Sequence, residues 1–146
     1  MPLNQSGFKD SFESLCSSPG ATVADCAGLW AEAFVTYFVA VTPPSATVSA
    51  AGVALQGQLA AAFASPNAIP AMDLACTAFA LAVGGGMAPV FVAVPPPAPF
   101  GWAVVLAPPY ASSHAEAAQR VASALDTWAR TGTATPSVGG SPVPWS

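Results

Sequence analysis

Residues 72–87, MDLACTAFALAVGGGM, decide how the rest of the chain is read. Met72, Cys76, Phe79 and Val83 fall on one helical stripe, Leu74, Ala78 and Leu81 on another, and no polar face is left for water. A helix that is apolar all round lies either at the centre of a bundle or in a membrane. Gly84-Gly85-Gly86 ends it, because each glycine disfavours helix by roughly 1 kcal/mol relative to alanine. The other helices are therefore expected to pack around this one.

Working outward, the whole chain shares the same poverty of charge. Of its 146 residues 53% are hydrophobic and 7% charged, against a usual charged share of roughly 25%. Three Lys plus Arg and seven Asp plus Glu cannot supply the charged surface that disperses an ordinary monomer. The surface must be built of small and weakly polar residues, or be covered by partners. The net charge of −4, with Lys9, Arg120 and Arg130 scattered, argues against nucleic acid as a partner, since a phosphate backbone requires clustered cations. Lys9, Asp10 and Glu13 interrupt the first apolar run and no basic segment precedes it, so no signal peptide is expected. Cys16, Cys26 and Cys76 lack metal-knuckle spacing and read as buried small hydrophobes. A Cys16–Cys26 bridge between neighbouring helices stays open.

Upstream of 72–87 three helices are expected. Asn4 or Ser6 caps the first, with Phe8, Phe12 and Leu15 on one stripe. Thr22-x-x-Asp25 is a short-acid capping box for the second, in which Val23, Ala27, Trp30, Phe34, Tyr37 and Val41 alternate by four and three until Pro43-Pro44. Ser45 or Thr47 opens the third, which carries Val48, Leu55, Leu59 and Phe63, and whose Gly52 and Gly57 imply a close backbone approach. Ile69-Pro70 punctuates the turn before the fourth helix.

Downstream the period changes. Residues 90–94 and 102–106 are strand-length runs separated by the proline-rich 95–101. They predict a hairpin with a stiff tip or, because proline lacks the ladder donor, an extended arm. Ser113-x-x-Glu116 is a capping box for a fifth helix that buries Ala117, Val121, Leu125 and Trp128 and ends near Arg130. Residues 131–146 have no helical period and are expected to be disordered unless Trp145 docks. The chain thus reads as mainly α: a single domain over 1–130, a bundle of about five helices with a Pro-rich hairpin or arm at about 89–110, and an extended C-terminal tail over 131–146.

No set of residues points to chemistry. His114, the sole histidine, sits in a helix cap beside Ser112 and Ser113, where no triad geometry is available. Asp73 reads as a first-turn acid favoured by the helix dipole. Gly84-Gly85-Gly86 lacks the Lys and Ser/Thr of a phosphate loop. Neither enzyme, metal nor cofactor is expected. Residues 74–94 are uncharged and long enough to span a bilayer, but three glycines, Pro89 and the lack of flanking Lys or Arg weigh against a membrane.

Trp128-x-x-Thr131-Gly132-Thr133-Ala134-Thr135-Pro136, the terminal Pro142-Val143-Pro144-Trp145-Ser146, Val94-Pro95-Pro96-Pro97 with Phe100-Gly101, and Gly84-Gly85-Gly86-Met87-Ala88-Pro89 together resemble small Ala/Pro-rich structural proteins of tailed bacteriophages and prophages. The resemblance implies a non-enzymatic subunit of a virion tail, neck or baseplate, made in the host cytoplasm. Its partners would be copies of itself in a ring and other virion proteins, joined through extended arms. The expected contact residues are Pro95, Pro96, Pro97, Phe100 and Trp102 in the proline-rich tip and Pro142, Pro144 and Trp145 in the tail, with Trp102 and Trp145 as aromatic anchors. A small holin-like membrane protein and a soluble assembly or binding module are the alternatives.

Overall fold

The computed structural model describes residues 3–146. Five long helices, α1 (Gln5–Ser17), α2 (Val23–Phe38), α3 (Val48–Phe63), α4 (Ala68–Gly85) and α6 (His114–Ala129), are joined by the single helical turn α5 (Trp102–Val105). A small sheet is made of β1 (Phe91–Val94), β2 (Thr133–Pro136) and β3 (Val143–Pro144). The mainly helical expectation holds.

Local chemistry sets most of the helix ends. The Asn4 side chain accepts the Gly7 N–H at 3.0 Å, and Phe8, Phe12 and Leu15 are buried. Thr22 and Asp25 bond reciprocally, the Asp25 N–H to the threonine hydroxyl at 3.1 Å and the Thr22 N–H to the carboxylate at 3.0 Å. Ala27, Phe34 and Tyr37 of the predicted stripe are buried, but Val23 is half exposed and Val41 is buried beyond the helix end. Ser45 and Thr47 stand where the third helix opens, yet their hydroxyls serve another element: they donate to the Val83 and Ala82 carbonyls at 2.6 Å each. Both carbonyls also accept the Gly86 N–H at 3.2 Å, so the hydroxyls give each a second bond at the end of α4 and tie it to the start of α3. Pro70 does not precede the fourth helix but lies in its first turn, where an absent N–H costs nothing.

The helices pack in the row α6, α1, α2, α3, α4, and α5 touches both α4 and α6. This places α2 in the middle and overturns the expectation that α4 is central. Phe34, Tyr37 and Phe38 of α2 are buried. Phe34 meets Phe8 at 5.5 Å on one side and Phe79 of α4 at 6.0 Å on the other, in edge-to-face geometry. α4 gives the core Met72, Cys76, Phe79 and Val83 and leaves Leu74 and Leu81 72% and 62% exposed. The lack of a polar face on α4 thus does not mark a helix surrounded by its own chain.

The expected hairpin does not form. β1 pairs instead with β2, antiparallel, from Phe91 opposite Pro136 to Val94 opposite Thr133, and β2 pairs with β3. Trp102 is fully buried, 5.2 Å from Trp30 and 4.5 Å from Phe100. Burying that ring between α2 and α4 outweighs the strand preference of 102–106. Gly101 turns the chain at φ 87°, and Asp73 accepts the Gly101 and Trp102 N–H groups at 2.8 and 3.1 Å. Asp73 is therefore not the first-turn acid of its own helix; it caps the turn of another. Residues 131–146 contribute two strands, and Trp145 does dock, fully buried beside Phe38.

Candidate assembly face

Every charged side chain except Asp73 lies before residue 33 or after residue 115, on α1, on α2 and its cap region, or on α6 and its end. The three cations are each held by a neighbouring acid: Lys9 by Glu13 at 3.1 Å, Arg120 by Glu116 at 2.6 Å and Arg130 by Asp126 at 2.8 Å. Asp126 also accepts the Tyr37 hydroxyl at 2.7 Å. Burial works to raise the Asp126 carboxyl, but the bonds from Arg130 and Tyr37 outweigh it and hold its pKa below the ordinary value. Burial and the bond to Asp126 push the Tyr37 hydroxyl well above its ordinary value.

Because α3 and α4 stand at the far end of the row from α6, most of the chain's charges gather toward the other side; α3, α4 and β1 carry Asp73 alone, and Glu32 of α2 borders α3 beside Val53. Asp73, the one acid in this stretch, is directed to the α5 backbone. On α3 the exposed positions include Ala50, Val53, Ala54, Gly57 and Ala61; on α4 they include Leu74, Thr77 and Leu81; on β1 they are Val92 and Val94. Alternation along β1 turns Ala93 toward Gly84 of α4 and Val92 outward. Between α4 and β1 runs a groove of about 260 Å³ whose walls include Leu81, Gly84, Gly85, Phe91 and Pro95. Gly52 answers to the predicted close approach, since a Cβ there would collide with Val35 of α2; Gly57 faces open space and is part of the outer surface instead.

Several of the contact residues expected from sequence lie elsewhere. Phe100, Trp102 and Trp145 are core residues of this chain and Pro96 is buried, so the four side chains are turned inward here; Pro95 is half buried, and Pro97, Pro142 and Pro144 are exposed. The tryptophans are held by a satisfied polar handle inside a close-packed site. Trp102 Nε1 points at Cys76 Sγ at 3.4 Å, Trp145 Nε1 donates to the Thr133 carbonyl at 3.2 Å, and Trp128 Nε1 donates to the Ala98 carbonyl at 2.7 Å, which ties the proline-rich strap to α6. Burial pushes the Cys76 thiol up to about 12, an inert value. The strap is thus a cover for the aromatic core. What sequence reasoning missed is the outward stripe of Leu74 and Leu81; its signal was the absence of any polar alternative on that helix.

The described residues hold no group of three or more His, Cys, Asp or Glu side chains placed to share a metal ion. All three cysteines are free, Cys76 buried and Cys16 and Cys26 half buried. His114 is exposed at the start of α6 with Nδ1 3.3 Å from the Ser17 hydroxyl. An apolar cleft of about 210 Å³ lies between α1, α6 and residues 105–111, with Arg120 at its wall already bonded to Glu116 and the Pro109 carbonyl. Comparison with known protein families, with curated proteins and with solved structures finds no match to the chain.

Proposed function

We propose that this chain is a non-enzymatic structural subunit that assembles with copies of itself through the charge-poor face of α3, α4 and β1. The observation that supports this is the segregation of charge. Two copies each carrying −4 repel wherever their acidic helices meet, whereas the α3–α4–β1 side carries only Asp73, bonded to the α5 backbone, with Glu32 at its α2 edge, and has apolar side chains to bury. Its size is suitable. The 18 residues of α4 run about 27 Å at 1.5 Å per residue. With α3 alongside at about 8–10 Å, the two helices alone present on the order of 500 Å². β1 extends this toward the roughly 800 Å² per partner of a stable interface.

The setting proposed is a tailed-phage virion, in the tail, neck or baseplate, where the resemblance places such chains and where rings of subunits bury apolar sides against one another. Other virion proteins are the remaining proposed partners. A membrane reading has one observation in its favour: α4 is long and apolar enough to cross a bilayer, with 39% of it buried inside the molecule. Its inner side, however, carries Phe79 and Val83 in the core, and its last carbonyls are held by Ser45 and Thr47, contacts that insertion would have to break.

Light scattering without detergent separates these readings. The protein is expected to run as a defined multimer, and the double variant L74E/L81E, changed only at exposed positions, as a monomer with unaltered helical circular dichroism. A parent protein that stays monomeric at millimolar concentration would defeat the proposal, and one that stays in solution only with detergent would favour the membrane.

A further inference from the structure

The segment that ends in Trp145 is held in a socket that every copy of the chain carries. The Trp145 N–H donates to the Gly132 carbonyl at 2.9 Å, and its indole Nε1 to the Thr133 carbonyl at 3.2 Å. Ser146 and Thr42 exchange two backbone bonds, at 2.7 and 3.1 Å. The ring lies so close to Gly132 that a Cβ there would come within 2.7 Å of it, and it also rests near Gly84. In front of this anchored segment, residues 137–142, Ser-Val-Gly-Gly-Ser-Pro, are all exposed. Gly139 and Gly140 take positive φ there, and the Gly139 N–H closes the turn on the Pro136 carbonyl at 3.1 Å.

We infer that residues 143–146 form an exchangeable arm: between two neighbouring copies the 137–142 turn opens, and each Val143-Pro144-Trp145-Ser146 fills the socket of the other. Resting on the assembly proposed above, this names how its subunits are locked together. Each bond that opens in one chain is remade by the same groups of its neighbour, so only the turn itself changes. Gly139 and Gly140 pass from turn to extended backbone without a Cβ to obstruct them, and Pro142 and Pro144 favour the extended form that a crossing arm needs. Six opened residues reach about 20 Å. Gly84, which rests near the ring, also lines the α4–β1 groove, so the socket adjoins the face on which the neighbour sits. In an isolated chain the short turn keeps the arm at a high effective concentration for its own socket. Exchange therefore accompanies assembly and does not precede it.

The paired bonds between Thr42 and Ser146 supply the test. Residues that exchange both backbone bonds sit about 5.5 Å apart at Cα, inside the roughly 4.4–6.8 Å range that a disulfide bridges. Full-length T42C and S146C, each in a C16S/C26S background, are mixed, concentrated to the assembled state and oxidised with glutathione disulfide. A disulfide between positions 42 and 146 that joins the two different chains, located by peptide mapping in the multimer, is the expected result. The double variant T42C/S146C, oxidised when dilute, should close the same bridge within one chain and so shows that the socket is formed. Multimers of normal mass without an interchain bridge would overturn the exchange while leaving the assembly face standing. Monomers without the bridge would overturn both.

Discussion

At the start of α6 the Glu116 carboxylate accepts the Ser112 hydroxyl at 2.6 Å and the Ser112 N–H at 2.7 Å, while the Ser113 hydroxyl accepts the Glu116 N–H at 3.1 Å. Sequence spacing announced a capping box, and half of it is present. The acid reaches one residue further back than the motif requires, because Arg120 holds its other oxygen. The Ser112 hydroxyl, the Ser112 N–H and Arg120 together bring the Glu116 pKa from 4.5 down to about 2. A carboxyl with a depressed folded pKa stabilises the fold fully above its unfolded value and loses that contribution as pH falls through the folded one. The first turn of α6 is therefore expected to loosen between about pH 4.5 and pH 2. Amide hydrogen exchange at Ser112 and Glu116 would follow this, and E116Q should abolish the pH dependence there; an unchanged profile in E116Q would assign the transition to another acid.

Among the elements, the small sheet was the least legible in the sequence. β1 was visible as Val-rich, but its partner β2 reads TATP, with no run of large apolar residues to announce a central strand. What makes it one is Trp145, whose ring covers Gly132 and whose indole reaches the Thr133 carbonyl. Ala134 of β2 is then fully buried. A side chain at Gly132 has nowhere to go, so G132A should expel or displace the indole and destabilise the fold by about 1–3 kcal/mol, the usual range for overpacking. Urea midpoints at constant m-value, read together with Trp fluorescence, would measure it. A variant as stable as the parent would show that the ring can shift without loss. The long helices, by contrast, were legible from period and caps, since each carries its own apolar stripe within one turn of chain.

For the whole molecule the salient property is the uneven distribution of ten charged side chains. Apolar contact between copies is not screened by salt, whereas the repulsion between their acidic sides is, with a Debye length falling from about 30 Å at 0.01 M to about 3 Å at 1 M. Self-association through α3, α4 and β1 is therefore expected to strengthen as salt rises over that range, as sedimentation or light scattering would record. Weakening with salt would mean that ion pairs join the subunits, and would place the interface on α1 or α6.

By itself the sequence determined the number and rough placement of the long helices, the capping residues Thr22 and Ser113, and the scarcity of charge, because the helices and caps depend on neighbours within a few residues and the charge on composition alone. It could not rank competing uses of the same apolar surface. Leu74 and Trp102 both read as buried or as anchors, and only packing decided that Trp102 fills a space between α2 and α4 while Leu74 is left outside. Tertiary structure likewise decided that Asp73 caps α5, that Ser45 and Thr47 close α4, and that Trp145 docks beside Phe38. Each of those partners is at least 28 residues distant along the chain, and such meetings are fixed by the shape of the core, not by local preference.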